Sequence, residues 1–259
     1  MLARSSVFAL AFALAALLAP PLAYGAEPVT IRHIRNPPPN VNSFVITSPQ
    51  GVKVFVDAVS LPDELLPELE NPKNLFLVTH THFDHLSGTY RDRFKGAKLV
   101  ASTGTVTSGD VKVEGVVSSH YDNELDGTSN FIMVIEVAGV RIAHFGDCGQ
   151  DALSPEQMKK IGKVDVMIGQ FENSYSEADV VNQKGYKVLA QVAPTVVVPT
   201  HIASVPAVQL LDKAYPAEIA GRDVLTVTPA LLGKGKRAVF MGANGELAAK
   251  AGIRKSAEL

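Results

Sequence analysis

Only seven histidines occur in the chain, and three of them fall within Val78-Thr79-His80-Thr81-His82-Phe83-Asp84-His85-Leu86, beside one aspartate. Imidazole nitrogens and carboxylate oxygens are ligands for borderline divalent cations, so four such donors in six residues point to a metal site rather than a solvated loop. His80 and His82 stand two apart, so in an extended loop both rings face one side and can grip one ion. Asp84 and His85 offer donors for a second. Asp84 is also expected to open a helix running towards Tyr90, where its carboxylate would face free backbone N–H groups.

The elements around this cluster must place it. Leu75-Phe76-Leu77-Val78 is wholly apolar, as a strand buried on both faces is, so the donors should leave that strand at its C-terminal end. Val29 to His33 alternates in polarity, Ser43 to Thr47 and Val52 to Asp57 read as further strands, and Pro62 to Leu69 reads as a short helix with Pro62 near its start. Strands are also expected over Ala97 to Ala101, Val111 to Val117, Phe131 to Val137, Val140 to His144, Val164 to Ile168 and Val196 to Val198. Gly139 turns a hairpin between the third and fourth of these. Ser154 caps a helix to Ile161, and a second helix is expected over Glu177 to Ala193, weakened in its middle by Gly185. His33 sits alone in the first strand and is read as structural.

With 259 residues, 46% of them hydrophobic, and a formal charge of −2, the chain can bury one substantial core. That balance suggests neither nucleic acid nor an anionic membrane as a partner; the partner expected is a small-molecule substrate. Residues 1–26 differ in kind: Arg4 gives a positive start, Val7 to Leu18 is an unbroken apolar run, and Ala23-Tyr24-Gly25 supplies small residues for cleavage. This is the pattern of a signal peptide, too short in its apolar part to span a bilayer, so the mature domain should cover 27–259, be exported to the periplasm or beyond, and not stay inserted in a membrane.

His80-Thr81-His82-Phe83-Asp84-His85 resembles the HxHxDH signature of the metallo-β-lactamase-fold hydrolases, down to the apolar strand before it. The resemblance implies an α+β fold, an αββα sandwich of two mixed β-sheets with helices on the outer faces. It implies His120, at the end of the Val111 strand, as third histidine beside His80 and His82, with one position left open for water. It implies Asp147, flanked by Gly146 and Gly149, as a carboxylate bridging two ions, and His201, in Pro199-Thr200-His201, as the ligand completing a half-site with Asp84 and His85. The implied cofactor is a pair of divalent ions, zinc first, with manganese or iron as alternatives. Asp84 would orient or deprotonate the attacking water.

Around these ligands the resemblance makes Asp57 a support for the histidine loop, although a plain turn residue reads as well. His144 would support rather than ligate. Cys148 departs from the usual Gly-Asp-Thr step and is either a small buried residue or a thiol near the ions; as the only cysteine it forms no internal disulfide. Glu172, Asn173 and Tyr175 fall where relatives carry a substrate loop, which makes them pocket candidates, although a solvated loop is the simpler reading. Ile202 to Leu259 should add one helix, two short strands and a polar tail. The implied activity is hydrolysis of an ester, lactone, amide or phosphoester bond, and the alternative is a non-catalytic metal- or ligand-binding protein on the same fold. Asp147 argues against β-lactam ring opening, and the pattern lies nearest the ascorbate-phosphate lactonase-like group. Mass measurement of the exported chain should find its N-terminus at Ala26 or Glu27; an intact Met1 in a cytoplasmic fraction would defeat the export reading.

Overall fold

The computed structural model describes residues 28–35, 43–121 and 129–256; the expected leader over 1–26 lies outside them. The first strands are β1 (Val29–His33), β2 (Phe44–Thr47), β3 (Lys53–Val56), β4 (Leu75–Val78) and β5 (Ala97–Val100). They are followed by β6 (Gly104–Ser108), β7 (Val111–Ser118), β8 (Asn130–Val137), β9 (Val140–His144), β10 (Val166–Gly169) and β11 (Val196–Pro199). The last are β12 (Ala217–Ile219), β13 (Val224–Val227) and β14 (Arg237–Phe240). Six strands form one sheet in the order β13-β1-β2-β3-β4-β5, and eight form the other in the order β12-β14-β11-β10-β9-β8-β7-β6.

Both sheets are mixed. β3, β4 and β5 run parallel in the first, as do β9, β10, β11 and β14 in the second. One apolar layer, including Ile31, Ile46, Val54, Leu75, Leu77, Met133, Ile135, Ile168 and Val198, lies between them. The opposite face of the larger sheet packs Val134, Met167 and Val197 against residues of α2 (Pro155–Ile161), α3 (Lys184–Val192), α4 (Val205–Ala214) and α6 (Gly242–Lys250). The outer face of the smaller sheet, with Val45, Phe55, Phe76 and Val78, is covered by Leu65 and Leu69 of a 3₁₀ helix over Asp63–Glu70 and by Phe94 after α1 (Gly88–Arg93). These are the layers of an αββα sandwich. Strands with two buried faces cannot alternate in polarity, which is why β4, β10 and β11 are buried at every position.

Several expected boundaries move. No helix starts at Asp84: residues 83–85 form a tight turn, in which the amides of His85 and Leu86 both donate to the His82 carbonyl, and α1 begins only after Ser87 caps it. The turn leaves Asp84 and His85 beside the other donors of the cluster. The helix expected from Glu177 begins at Lys184, since Asp179 Oδ1 takes the amides of Val181 and Asn182 in a local turn and Gln183 sits at φ 58. Gly185 is therefore in the first turn, where a Cβ would lie 2.3 Å from the Gln170 carbonyl oxygen; it allows close packing rather than weakening the helix. Among the described residues from Ile202 onward are α4, α5 (Pro229–Gly233), α6 and three strands, against the one helix and two strands expected. Of these strands, β13 pairs with β1 and so completes the smaller sheet from the far end of the sequence.

Glu68 clips the 3₁₀ helix to the sheet, its carboxylate taking Lys53 Nζ at 2.8 Å and Asn74 Nδ2 at 3.0 Å. The Lys53 hydrogen bond holds the carboxyl below its usual range. A carboxylate depressed in the folded chain contributes stability above its unfolded pKa and loses it as pH falls through the folded one, so the window lies below about pH 4. Glu68→Gln should cost at most about 1 kcal/mol at pH 7 and progressively less as the pH drops below 4. Urea unfolding at both ends of that range checks it; equal differences at the two ends would refute the assignment.

Candidate metal centre

The expected donors converge at one edge of the sandwich because each follows a strand that ends there. Thr79 and His80 leave β4, His120 leaves β7, Asp147 leaves β9, and His201 leaves β11. Since β9, β10 and β11 are parallel neighbours, the loops carrying Asp147, residues 170–173 and His201 emerge side by side. Donor atoms lie within 4.8 Å of one another in three sets: His80, His82 and His120; His80, Asp84 and His85; and His85, Asp147 and His201. The first set is the three-histidine half-site. In the other half Asp147, rather than Asp84, joins His85 and His201 most tightly; Asp84 Oδ2 stands 3.6 Å from His85 Nε2 and 3.9 Å from His201 Nε2.

Close approach at this edge depends on two glycines. Gly146 has φ 53, and a Cβ there would stand 2.5 Å from Asn130 Oδ1 and 2.7 Å from the Thr79 side chain. At Gly149 a Cβ would fall 1.8 Å from the His120 carbonyl oxygen. Asn130, at the head of β8, uses that proximity: its amide nitrogen donates to Ser118 Oγ and the Phe145 carbonyl, while its Oδ1 accepts the Asp147 amide at 3.1 Å. Sequence reasoning passed over Asn130. Its signal was a polar residue opening the apolar run Phe131 to Ile135.

Asp57 is both of the things its sequence allowed. It makes a left-handed turn after β3 (φ 49) and, fully buried, anchors the histidine loop. Its Oδ1 accepts the Thr79 amide at 2.8 Å, and its Oδ2 accepts the Thr79 hydroxyl at 2.7 Å and His85 Nδ1 at 2.8 Å. These contacts decide tautomers. A carboxylate only accepts, so His85 carries its proton on Nδ1 and turns Nε2 to the cluster. Thr79 spends its one hydroxyl proton on Asp57 and must accept from His80 Nδ1, 3.1 Å away, which leaves the His80 Nε2 lone pair facing inward.

The electrostatics favour a cation. Burial, aided by the His85 charge, pushes His80 down to about 2, and burial pushes His120 down to about 4, so both rings are neutral and available as ligands. Burial opposes the charge on His85, but Asp57 and Asp147 outweigh it and push that pKa up to about 10. Burial likewise opposes ionisation of Asp57 and Asp147, and the neighbouring histidines, His85 for the first and His201 and His85 for the second, hold both below the carboxylate range. A proton on His85 thus compensates buried negative charge. The chemistry of the donor set fits divalent ions better: His80 Nε2 and His120 Nε2 are buried without a hydrogen bond, a loss of about 1–3 kcal/mol per group that coordination recovers.

The other expectations separate. Asn173 reaches the centre, donating to Asp147 Oδ2 at 2.8 Å. Glu172 does not; its carboxylate accepts the amides of Ala203 and Ser204 and the Ser204 hydroxyl ahead of α4. Tyr175 is exposed. Cys148 is buried in the apolar layer beneath the helices. His144 Nδ1 accepts the Gly146 amide and its ring meets Phe44 edge-on, which makes it a support for the Asp147 loop. His33 is buried against Phe44 and packs closely on Gly242.

The sequence model of the beta-lactamase superfamily domain matches residues 40–201, well over half of the chain and every expected ligand. The chain belongs to the metallo-β-lactamase superfamily. Its fold is similar to that of a candidate zinc-dependent hydrolase of this superfamily from Thermotoga maritima, at 20% identity and a TM-score of 0.56, over 82% of this chain and 98% of that one. Igni18, a metallo hydrolase from Ignicoccus hospitalis, is similar at 15% identity and a TM-score of 0.55, over 84% and 96%. CmlA, a diiron β-hydroxylase from Streptomyces venezuelae, is similar at 13% identity and 0.52, over 83% of this chain and 53% of its own. Among curated proteins none matches. Metal-dependent hydrolases and a diiron oxygenase therefore share this fold, and nothing in these likenesses singles out the ascorbate-phosphate lactonase-like group. Among the described residues no helix is long and apolar enough to cross a membrane.

Asp57→Asn replaces an acceptor of three donors by a group with one acceptor oxygen and two donor hydrogens. Leaving a buried charge partner uncompensated should cost about 3–5 kcal/mol in urea unfolding, and metal affinity should fall by about 10–100-fold. Wild-type stability together with wild-type metal uptake in this variant would contradict the anchoring role.

Proposed function

We propose that the protein is a metal-dependent hydrolase acting on an ester, lactone, amide or phosphoester bond of a small molecule, with two divalent ions, zinc first among them, held by His80, His82, Asp84, His85, His120, Asp147 and His201. One observation carries this reading: seven donors from four separate loops meet at a single edge, with inward-facing imidazole nitrogens that the protein itself leaves without hydrogen bonds. Ions bound there supply Lewis acidity, polarising a carbonyl or phosphoryl oxygen and acidifying a coordinated water.

The chain's own residues divide the remaining work. Buried, neutral His80 and His120 present lone pairs, with His82 closing their half-site from the exposed side. Asp147, ionised and enclosed, supplies permanent negative charge to the other half. Asp84 differs from the two buried carboxylates, its side chain being 25% exposed. It can take a proton from the attacking water and return it to the leaving group or to solvent, the part of a general base and then a general acid. Export of the mature chain is part of this proposal and rests on the pattern of residues 1–26.

His82 is the informative ligand to remove because it is exposed and makes no contribution to the buried layers. His82→Ala should leave the unfolding midpoint in place while metal content and turnover fall by at least about 10–100-fold, the loss that even a ligand's supporting residue can cause. Metal content of the wild-type chain under zinc-replete conditions is measured first; fewer than one ion per chain ends the proposal. A panel of lactones, thioesters, phosphodiesters and lactams then identifies the bond. A metal-loaded chain inert on all of them would instead favour a binding protein on this fold.

A further inference from the structure

Asp147 is a candidate ligand whose carboxylate is shared between the centre and a neighbouring loop. Its Oδ1 makes no hydrogen bond and stands 3.3 Å from His85 Nε2 and 3.5 Å from His201 Nδ1. Its Oδ2 faces His80 Nε2 at 3.8 Å but accepts Asn173 Nδ2 at 2.8 Å.

The Asn173 amide has no freedom to turn. Nδ2 also donates to Gln170 Oε1 at 2.9 Å, and Oδ1 accepts the Tyr175 amide at 3.0 Å. A flipped amide would set its oxygen against the Asp147 carboxylate and the Gln170 oxygen, and its nitrogen against an N–H group, so the orientation is determined by its partners. Gln170 is held in turn, its Nε2 donating to the Cys148 carbonyl at 2.9 Å. The loop is clasped by paired backbone hydrogen bonds between Asn173 and Ala178, and Ser176 Oγ donates to the Asp147 carbonyl at 3.0 Å. Asn173 and Asp147 are both buried, so this pair is not exchanging partners with bulk water.

We infer that Asn173 is a positioning residue that occupies Asp147 Oδ2 and thereby commits Oδ1 to the half-site of His85 and His201. A neutral amide suits that task. It orients the carboxylate and lowers the basicity of one oxygen without cancelling the charge, as a lysine or arginine would. The consequence is asymmetry between the half-sites: the His80, His82 and His120 set consists of imidazoles, while the carboxylate charge is directed to the other. The inference rests on the metal-centre reading above but makes a separate claim about one residue.

Stepwise titration of the metal-free full chain with Co²⁺, read by visible absorption and by calorimetry, tests it in the wild type, Asn173→Ala and Asn173→Ser. Serine can still accept the Tyr175 amide and cap the turn, yet is too short to reach Asp147. Both variants should bind the first ion as the wild type does and the second about 10–100-fold more weakly, with a changed absorption band for the second ion only. Thermal unfolding of the metal-free chains is measured alongside. Equal loss at both ions, with a lowered midpoint in both variants, would make Asn173 merely structural and overturn the inference. So would an unchanged second ion in a folded Asn173→Ser chain. A wild type that takes up no ions would overturn the metal reading itself, a result distinguishable from either.

Discussion

The buried carboxylate of Asp57 is the contact on which the centre depends. An ionised group with no solvent exposure must be matched by donors, and here the donors are the amide and hydroxyl of Thr79 and the Nδ1 proton of His85. Satisfying the carboxylate therefore orients two histidines at once, one directly and one through the threonine. The residue is itself held on three sides: its left-handed turn, its amide donating to the Leu77 carbonyl at 3.0 Å, and its carbonyl accepting Ser43 Oγ at 2.6 Å. β2, β3 and β4 thus share a single polar anchor at the edge where the ligands leave.

The same edge joins the two sheets. The Phe131 amide of the larger sheet donates to the Thr79 carbonyl of the smaller one at 2.9 Å, and Asn130 links the ends of β7 and β9 beside it. Positions that tolerate no Cβ, at Gly146 and Gly149, let these backbones approach until donors from both sheets face a common space. The apolar layer between the sheets sets their separation, and the polar edge sets their alignment. Left-handed backbone at this edge falls at Gly146 and at Asp57, whose short polar side chain tolerates it.

A diiron hydroxylase and metallo hydrolases are similar to this chain in fold, so the fold supplies a scaffold for divalent ions and does not choose between their reactions. Around the candidate ligands stand Asn173 against Asp147, the partly open Asp84, and Cys148 buried in the apolar layer. In the proposed reaction Asp84 would carry the proton, and in the inference above Asn173 would set how the two half-sites differ.

Local chemistry was legible in the sequence alone. The apolar run of β4 followed by His80-Thr81-His82-Phe83-Asp84-His85 pointed to a cluster of candidate metal donors at a strand end, because donor type and spacing are properties of neighbouring residues. The Ser154 cap of α2 and the hairpin at Gly139 were legible for the same reason. Only the tertiary structure decided what depended on distant partners. Asp84 lies in a turn closed on the His82 carbonyl, with Ser87 rather than Asp84 capping α1, and β13 completes the sheet of β1 from the far end of the sequence. Glu172 and Asn173 are adjacent polar residues, yet one holds Ala203 and the cap residue Ser204 ahead of α4 and the other holds Asp147. Composition and periodicity do not encode which of two neighbouring side chains meets a residue brought close by a parallel strand; the packing of β9 against β10 does.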